Sequence, residues 1–330
     1  MFERTVVGNQ PKISEVPGRA NLRNARNRFD SGKIDAAALE ECVQATIRDT
    51  VADQIDAGMA RVTDGRIRWD DPVSPFASAH DGFAVGGLIR FFDNNVYYRR
   101  PSIVGPVRYV RSAVVDDFRL LRAMTDRPIL ASVCGPFSLA KFCVDDNYRD
   151  SNTLYHECAR LVRAEIEALA HAGADWVQID EPWLGFCPGE IGPATEAIAT
   201  AVRGIRVKTL VFVYFAPIGA IARHLWELPV DMIGADCVTE PGNLKVLLDG
   251  PATKARAFGL VDARNTRLEP VGSLAKQLNT IVKRGGERWP ECWLTPSAAL
   301  EFLPHRNAVA KMKLLSQAVA QLADVPVTAM

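Results

Sequence analysis

Residues 174–184 read ADWVQIDEPWL. Trp176, Val177 and Ile179 have the character of a buried strand, and Pro182 ends the pairing because it has no N–H to donate. Asp180 and Glu181 stand side by side at that end. Neighbouring strand residues point to opposite faces. One carboxylate is therefore expected to face a pocket, and the other to anchor a loop or a basic partner. The same pair could also reduce to an N-cap and an ion pair.

Seven further runs of strand character lie on either side, near 4–9 (RTVVGN), 60–65 (ARVTDG), 127–136, 209–215 (TLVFVYF), 231–237, 255–262 and 292–297. Amphipathic helices are expected between them. Over 36–57, Leu39, Val43, Ile47, Val51 and Ile55 recur at steps of four, and Gly58 is a natural stop. Over 152–172, Leu154, Leu161, Val162, Ile166 and Leu169 share one face, with Ser151 or Asn152 as N-cap and Gly173 as C-cap. Further helices fit 191–204, 217–227, 241–249, 272–285 and 305–323.

Eight strands alternating with helices predict an α/β fold of the (β/α)8 TIM-barrel type, as one domain over 1–330. A doubly wound sheet is the competitor. It is weakened because no GxGxxG or GxxxxGK[ST] follows a strand. The irregular stretch 66–126 contains FFDNNVYYRRP and reads as a hairpin-like insert after the second strand, covering the barrel mouth.

The chain has 330 residues, with 39 basic and 39 acidic side chains. Zero net charge argues against a nucleic-acid or anionic-membrane partner. No segment has the run of about 18 apolar residues that reads as a membrane helix, and the N-terminus lacks a signal-peptide core. Seven scattered cysteines form no CxxC or CxxH pair. They read as reduced thiols of a cytoplasmic protein.

A barrel carries its chemistry at the C-terminal ends of its strands. The polar residues there are Asn9, Gln10, Asp64, Arg66, Cys134, Asp180, Glu181, Tyr214, Asp236, Cys237, Asp262, Arg264, Asn265 and Ser297, with Trp69 close by. Asp180, Glu181, Tyr214 and Asp236 are the catalytic candidates. Asn9, Gln10, Asp64, Arg66, Trp69, Cys134, Arg264 and Asn265 are the candidates for substrate binding. A Cys134, Asp236 and Cys237 cluster is the one alternative for a metal. The histidines at 80, 156, 171, 224 and 305 fall outside the ring or at its edge.

VQIDEP, with TVVGNQP, RVTDGRIRWDD and VCGPFSLAKF in the same order, resembles the cobalamin-independent methionine synthase family. The likeness is to its C-terminal catalytic barrel and its archaeal-type short forms, and it spans nearly the whole chain. The resemblance implies a (β/α)8 barrel and methyl transfer from a folate or corrinoid carrier to the thiol of homocysteine, activated by zinc. It also implies a zinc site of His-x-Cys after the fifth strand, Glu after the sixth and Cys after the eighth. Here the fifth strand ends VFVYFAP, the sixth offers Asp236, and the eighth has Ser297 and Ala298. A family-type zinc site is therefore not expected, because soft thiolates are what hold zinc against a substrate thiol. Arg66 stands where the family has a Glu for the substrate's amino group. Arg suits an anion there, or it pairs with Asp64 or Asp70.

The leading reading is a methyl or one-carbon transferase with an altered, anionic small-molecule substrate. Tyr214 and Asp236 would replace the function of the zinc site. A metal-free lyase or decarboxylase resembling uroporphyrinogen decarboxylase is the alternative, and a non-catalytic binder is the third. The aromatic insert is expected to act as a lid or as a homodimer contact.

Overall fold

The computed structural model describes residues 2–285 and 288–323. Seven strands form one parallel sheet: β1 (Phe2–Arg4), β6 (Leu130–Cys134), β8 (Trp176–Asp180), β9 (Lys208–Val213), β10 (Met232–Asp236), β11 (Ala255–Val261) and β12 (Cys292–Pro296). Their spatial order is β1-β12-β11-β10-β9-β8-β6.

The curled sheet is completed by a segment that is barely a strand. Ala60 donates to the Arg4 carbonyl at 2.8 Å, Val62 to that of Pro128 at 2.9 Å, and Leu130 to that of Val62 at 3.0 Å. The expected second strand is thus a single Val62–Ile129 bridge between β1 and β6. It ends early because Gly65 and Arg66 both take positive φ, 68° and 49°, and turn the chain across the mouth.

The pleat of β8 explains the opening motif. Trp176 meets Trp293 inside the barrel with ring centroids 4.6 Å apart. The Arg61 guanidinium stacks on both rings and is held by Glu3 and Asp175, which closes the lower end. Gln178 and Asp180 follow on the same inward face, joined at 2.7 Å. Val177, Ile179 and Glu181 point outward under the helices and are fully buried.

Those helices are α2 (Ala36–Asp56), α6 (Ser151–His171), α7 (Ile191–Val202), α8 (Ala222–Glu227), α9 (Gly242–Asp249), α10 (Val271–Arg284) and α11 (His305–Ala323). They match the expected spans, apart from a shorter α8. Asp150, not Ser151 or Asn152, caps α6 through the Thr153 N–H. Two helices had no clear signal in the sequence: α1 (Leu22–Asp30), which is largely exposed, and α5 (Pro136–Phe142), which is only seven residues long.

The stretch after the second strand holds α3 (Ser74–Ala79), β2 (Asp81–Ala84), β5 (Ser102–Arg108) and α4 (Val115–Met124). Between β2 and β5, strands β3 (Leu88–Arg90) and β4 (Tyr97–Arg99) pair as an antiparallel hairpin around Phe91–Val96. The short β7 (Val144–Asp145) pairs with β5.

Candidate active site

Arg66 occupies the centre of the mouth. Its Nη2 donates to Asp180 Oδ2 at 2.5 Å and its Nε to Ser132 Oγ at 2.9 Å, while its plane lies 4.8 Å from the Trp69 ring. The expected partners were Asp64 or Asp70. Asp64 instead accepts the Arg66 backbone N–H at 3.1 Å, and Asp70 binds Arg26 and Lys12 at the rim. Burial works against the Arg66 charge, but the Asp180 carboxylate beside it more than offsets this, so it stays protonated.

Glu181 faces away from this ion pair. Its two oxygens accept the backbone N–H groups of Phe137 at 3.0 Å and Ser138 at 2.8 Å. It therefore caps α5, whose first turn has no acceptor of its own. Burial pushes its pKa up to about 7 despite these donors. Asp236 is also committed to backbone: Oδ1 accepts Val238 and Thr239 N–H at 2.9 Å each, and Oδ2 accepts Phe215 N–H at 3.3 Å.

Tyr214 is buried beside Phe212 and Phe215. Burial and the nearby Asp180 hold its hydroxyl well above the usual phenol range, so it keeps its proton at neutral pH. Burial likewise pushes the Cys134 and Cys237 thiols up, and each leans on a backbone carbonyl. Among the described residues no group of three His, Cys, Asp or Glu side chains is placed to hold a metal ion. The donor set does not suit a thiolate-held zinc. Tyr214 and Ala216 follow the fifth barrel strand, Ala298 follows the eighth, and the Asp236 carboxylate is already occupied by backbone donors.

Asn9 and Gln10 come off β1 toward the same centre. Asn9 Nδ2 donates to Glu301 Oε2 at 3.2 Å, and the Glu301 N–H returns to the Asn9 carbonyl at 3.1 Å. Glu301 is the residue that the sequence reading missed. It sits between Leu300 and Phe302 in a short 3-10 turn ahead of the last helix, a stretch that carries no signal of its own in the sequence. Three buried polar atoms in this region have no partner among the described residues: Gln10 Nε2, Gln178 Oε1 and Thr295 Oγ1. A protein rarely buries such groups unless water or a ligand satisfies them.

Aromatic side chains gather beside these strand ends. Phe91 and Phe92 of the hairpin tip meet Phe142, Trp183 and Phe215 at centroid distances of 5.1–6.5 Å. Phe92 and Phe215 both adopt positive φ, 51° and 68°, which is strained for an aromatic residue. Arg264 lies 5.1 Å from the Phe215 ring and pairs with Asp93 at the hairpin tip. Asn265 turns inward on its own loop, donating to Asp262 and accepting from the Arg267 N–H. Arg264 and Asn265 thus stand at the rim, while Asn9, Gln10, Arg66, Asp180 and Tyr214 converge below.

Comparison with known proteins agrees with this architecture. The sequence model of the family described as "Cobalamin-independent synthase, Catalytic domain" matches residues 10–321, and the chain belongs to that family. It is similar to a methionine synthase of Sulfurisphaera tokodaii, 28% identical over 313 residues, covering 93% of this chain and 88% of the relative. It is equally similar to one of Saccharolobus solfataricus, 28% identical over 317 residues, covering 94% and 92%. A solved B12-independent methionine synthase from Shewanella sp. W3-18-1, in complex with selenomethionine, superposes with a TM-score of 0.82 at 20% identity over 98% of both chains. That likeness shows the fold.

Proposed function

We propose that the protein transfers a methyl group from a folate or corrinoid carrier to a small polar nucleophile bound beside the aromatic cluster. The observation that carries this reading is the polar centre of buried Arg66, Asp180 and Tyr214 with half-buried Glu301, set at the strand ends of a barrel from a methyl-transfer family. Unpartnered Gln10 Nε2 and Gln178 Oε1 supply one donor and one acceptor for such a molecule.

The substrate is anionic in this reading. Arg66 Nη1 makes no hydrogen bond to the described residues, and it remains for a carboxylate once Nε and Nη2 are held by Ser132 and Asp180. Nucleophile activation rests on side-chain acid–base chemistry, because the residues present do not suit a thiolate-held zinc. The 91–96 loop acts as the lid, since its two phenylalanines lie beside the strand ends. The outer face of the hairpin, with Val85, Leu88 and Tyr97 exposed, is the surface suited to a second copy.

The test is to incubate the protein with methyltetrahydrofolate or methylcobalamin and a panel of thiols, including homocysteine, and to follow methyl transfer by mass spectrometry. Methylated product supports the reading. No transfer to any thiol sinks it.

A further inference from the structure

Five carboxylates stand at the strand ends around Arg66, and four are engaged or turned away: Asp64 accepts the Arg66 backbone N–H and lies beside Asp117 and Phe118 on the helix side. Asp180 is bound by Arg66 and Gln178, Glu181 by the first N–H groups of α5, and Asp236 by three backbone N–H groups. Tyr214 holds its proton. The fifth, Glu301, is held only through Oε2, by Asn9. No salt bridge reaches it among the described residues. We propose that Glu301 is the proton acceptor of this site, taking the proton from the bound nucleophile as the methyl group is transferred.

The placement suits the role. The Asn9 amide and the return bond from the Glu301 N–H fix the carboxylate on the β1 side of the mouth. The charged and titratable groups that bear on it are Lys12 after β1, Arg66 and Asp71 after the second strand, and Tyr214 after β9. Asp71 is tied to the start of α3, through the N–H groups of Val73 and Ser74. Lys12 is turned to the Trp69 carbonyl. Burial pushes the Glu301 carboxyl up to about 7, with Lys12, Asn9 and Arg66 pulling the other way. A base poised near neutral pH is the most effective one there.

The step balances without a metal. The proton of an S–H or similar acceptor passes to Glu301, and the electron pair left on the acceptor forms the new bond to the methyl carbon. The methyl–carrier bond breaks and its electron pair stays with the carrier. Glu301 then releases its proton to solvent or to the departing carrier. This inference rests on the methyl-transfer reading, but it is decided by two separate readouts.

The first readout needs no substrate. Infrared difference spectra of wild type against Glu301→Gln, taken across neutral pH, should show one carboxylic C=O band that disappears near pH 7 and is absent from the variant. If Glu301 stays ionised throughout, with no such band, the proposal is overturned. The second readout is the pH profile of kcat/KM. Wild type should rise to a plateau through an inflection near pH 7. Glu301→Gln should lose kcat by about 100-fold or more together with that inflection, and Glu301→Asp should keep the inflection at reduced rate. An unchanged inflection in Glu301→Gln overturns the proposal. If wild type methylates no acceptor, the functional reading has failed, and the infrared band alone decides whether Glu301 takes up a proton.

Discussion

Arg66 reaches across the barrel mouth and donates to Asp180 at 2.5 Å, with both side chains almost wholly buried. The two residues lie 114 positions apart, so this bond ties the irregular second strand to the fourth. Removing one partner of a buried pair leaves an uncompensated charge, which costs about 3–5 kcal/mol. Asp180→Asn should therefore destabilise the fold by that order in urea titration. The double variant Arg66→Met, Asp180→Asn should recover much of the loss, since neither buried charge remains.

Glu181 and Gly135 form a second coupled pair. A Cβ on Gly135 would stand 2.2 Å from Glu181 Oε1, so the carboxylate fills the space the glycine leaves open. Gly135→Ala should displace Glu181 from the Phe137 and Ser138 N–H groups. Glu181→Ala strips both donors directly, at about 1–3 kcal/mol for each group left unsatisfied. Both variants should lower Tm. Glu181→Gln keeps a carbonyl acceptor and should lose less than Glu181→Ala, a ranking that thermal melts will check.

The barrel was legible because its strands are buried on both faces and read as apolar runs ending in polar residues. The second strand was over-read. ARVTDG has the composition of a strand, but Gly65 and Arg66 leave the ladder in the left-handed region, which composition does not reveal. The ring was legible position by position, because strand ends are fixed by the fold. Who pairs with whom was not. Asp180 and Glu181 are adjacent in sequence, yet the pleat sends one to Arg66 and the other to a helix hidden behind VCGPF. Glu301 escaped notice because its role depends on a hydrogen bond to Asn9, 292 positions away.

Carboxyls whose burial raises their pKa contribute to the pH dependence of stability. Burial pushes Glu181, Glu301 and Asp117 each up to about 7, with the nearby Asp64 adding to the rise for Asp117. The folded state therefore binds these protons more tightly than the unfolded chain, whose carboxyls titrate near 4. Their contribution is fully present below the unfolded pKa and is lost as pH rises through about 7. Tm should fall over that window, against the gain from salt-bridged acids. Glu301→Gln should flatten the fall. A Tm that falls equally in wild type and variant would show that Glu301 titrates normally.

Metal content separates this chain's chemistry from thiolate-held zinc. The buried Cys134 and Cys237 thiols are held protonated, and the Asp236 carboxylate is filled by backbone donors. Elemental mass spectrometry on protein purified without a His tag should find zinc well below one per chain, and chelation should leave Tm unchanged. Stoichiometric zinc lost on chelation, with a fall in Tm, would mean that these side chains rearrange to bind it.

The rim pair Arg264–Asp93 is positioned as a latch. Asp93 sits at the hairpin tip, while Arg264 stacks over Phe215, which itself contacts both tip phenylalanines. An exposed ion pair adds little to global stability, about 0–1 kcal/mol, so Arg264→Ala should barely move Tm. Its effect should be local. The hairpin tip is held by aromatic contacts at a backbone strained at Phe92 and Phe215, and losing the latch favours release of that strain. Amide hydrogen exchange over residues 88–99 should speed up in Arg264→Ala while exchange in β8 and β9 stays unchanged. Equal protection of the hairpin in variant and wild type would assign closure to the aromatic contacts alone.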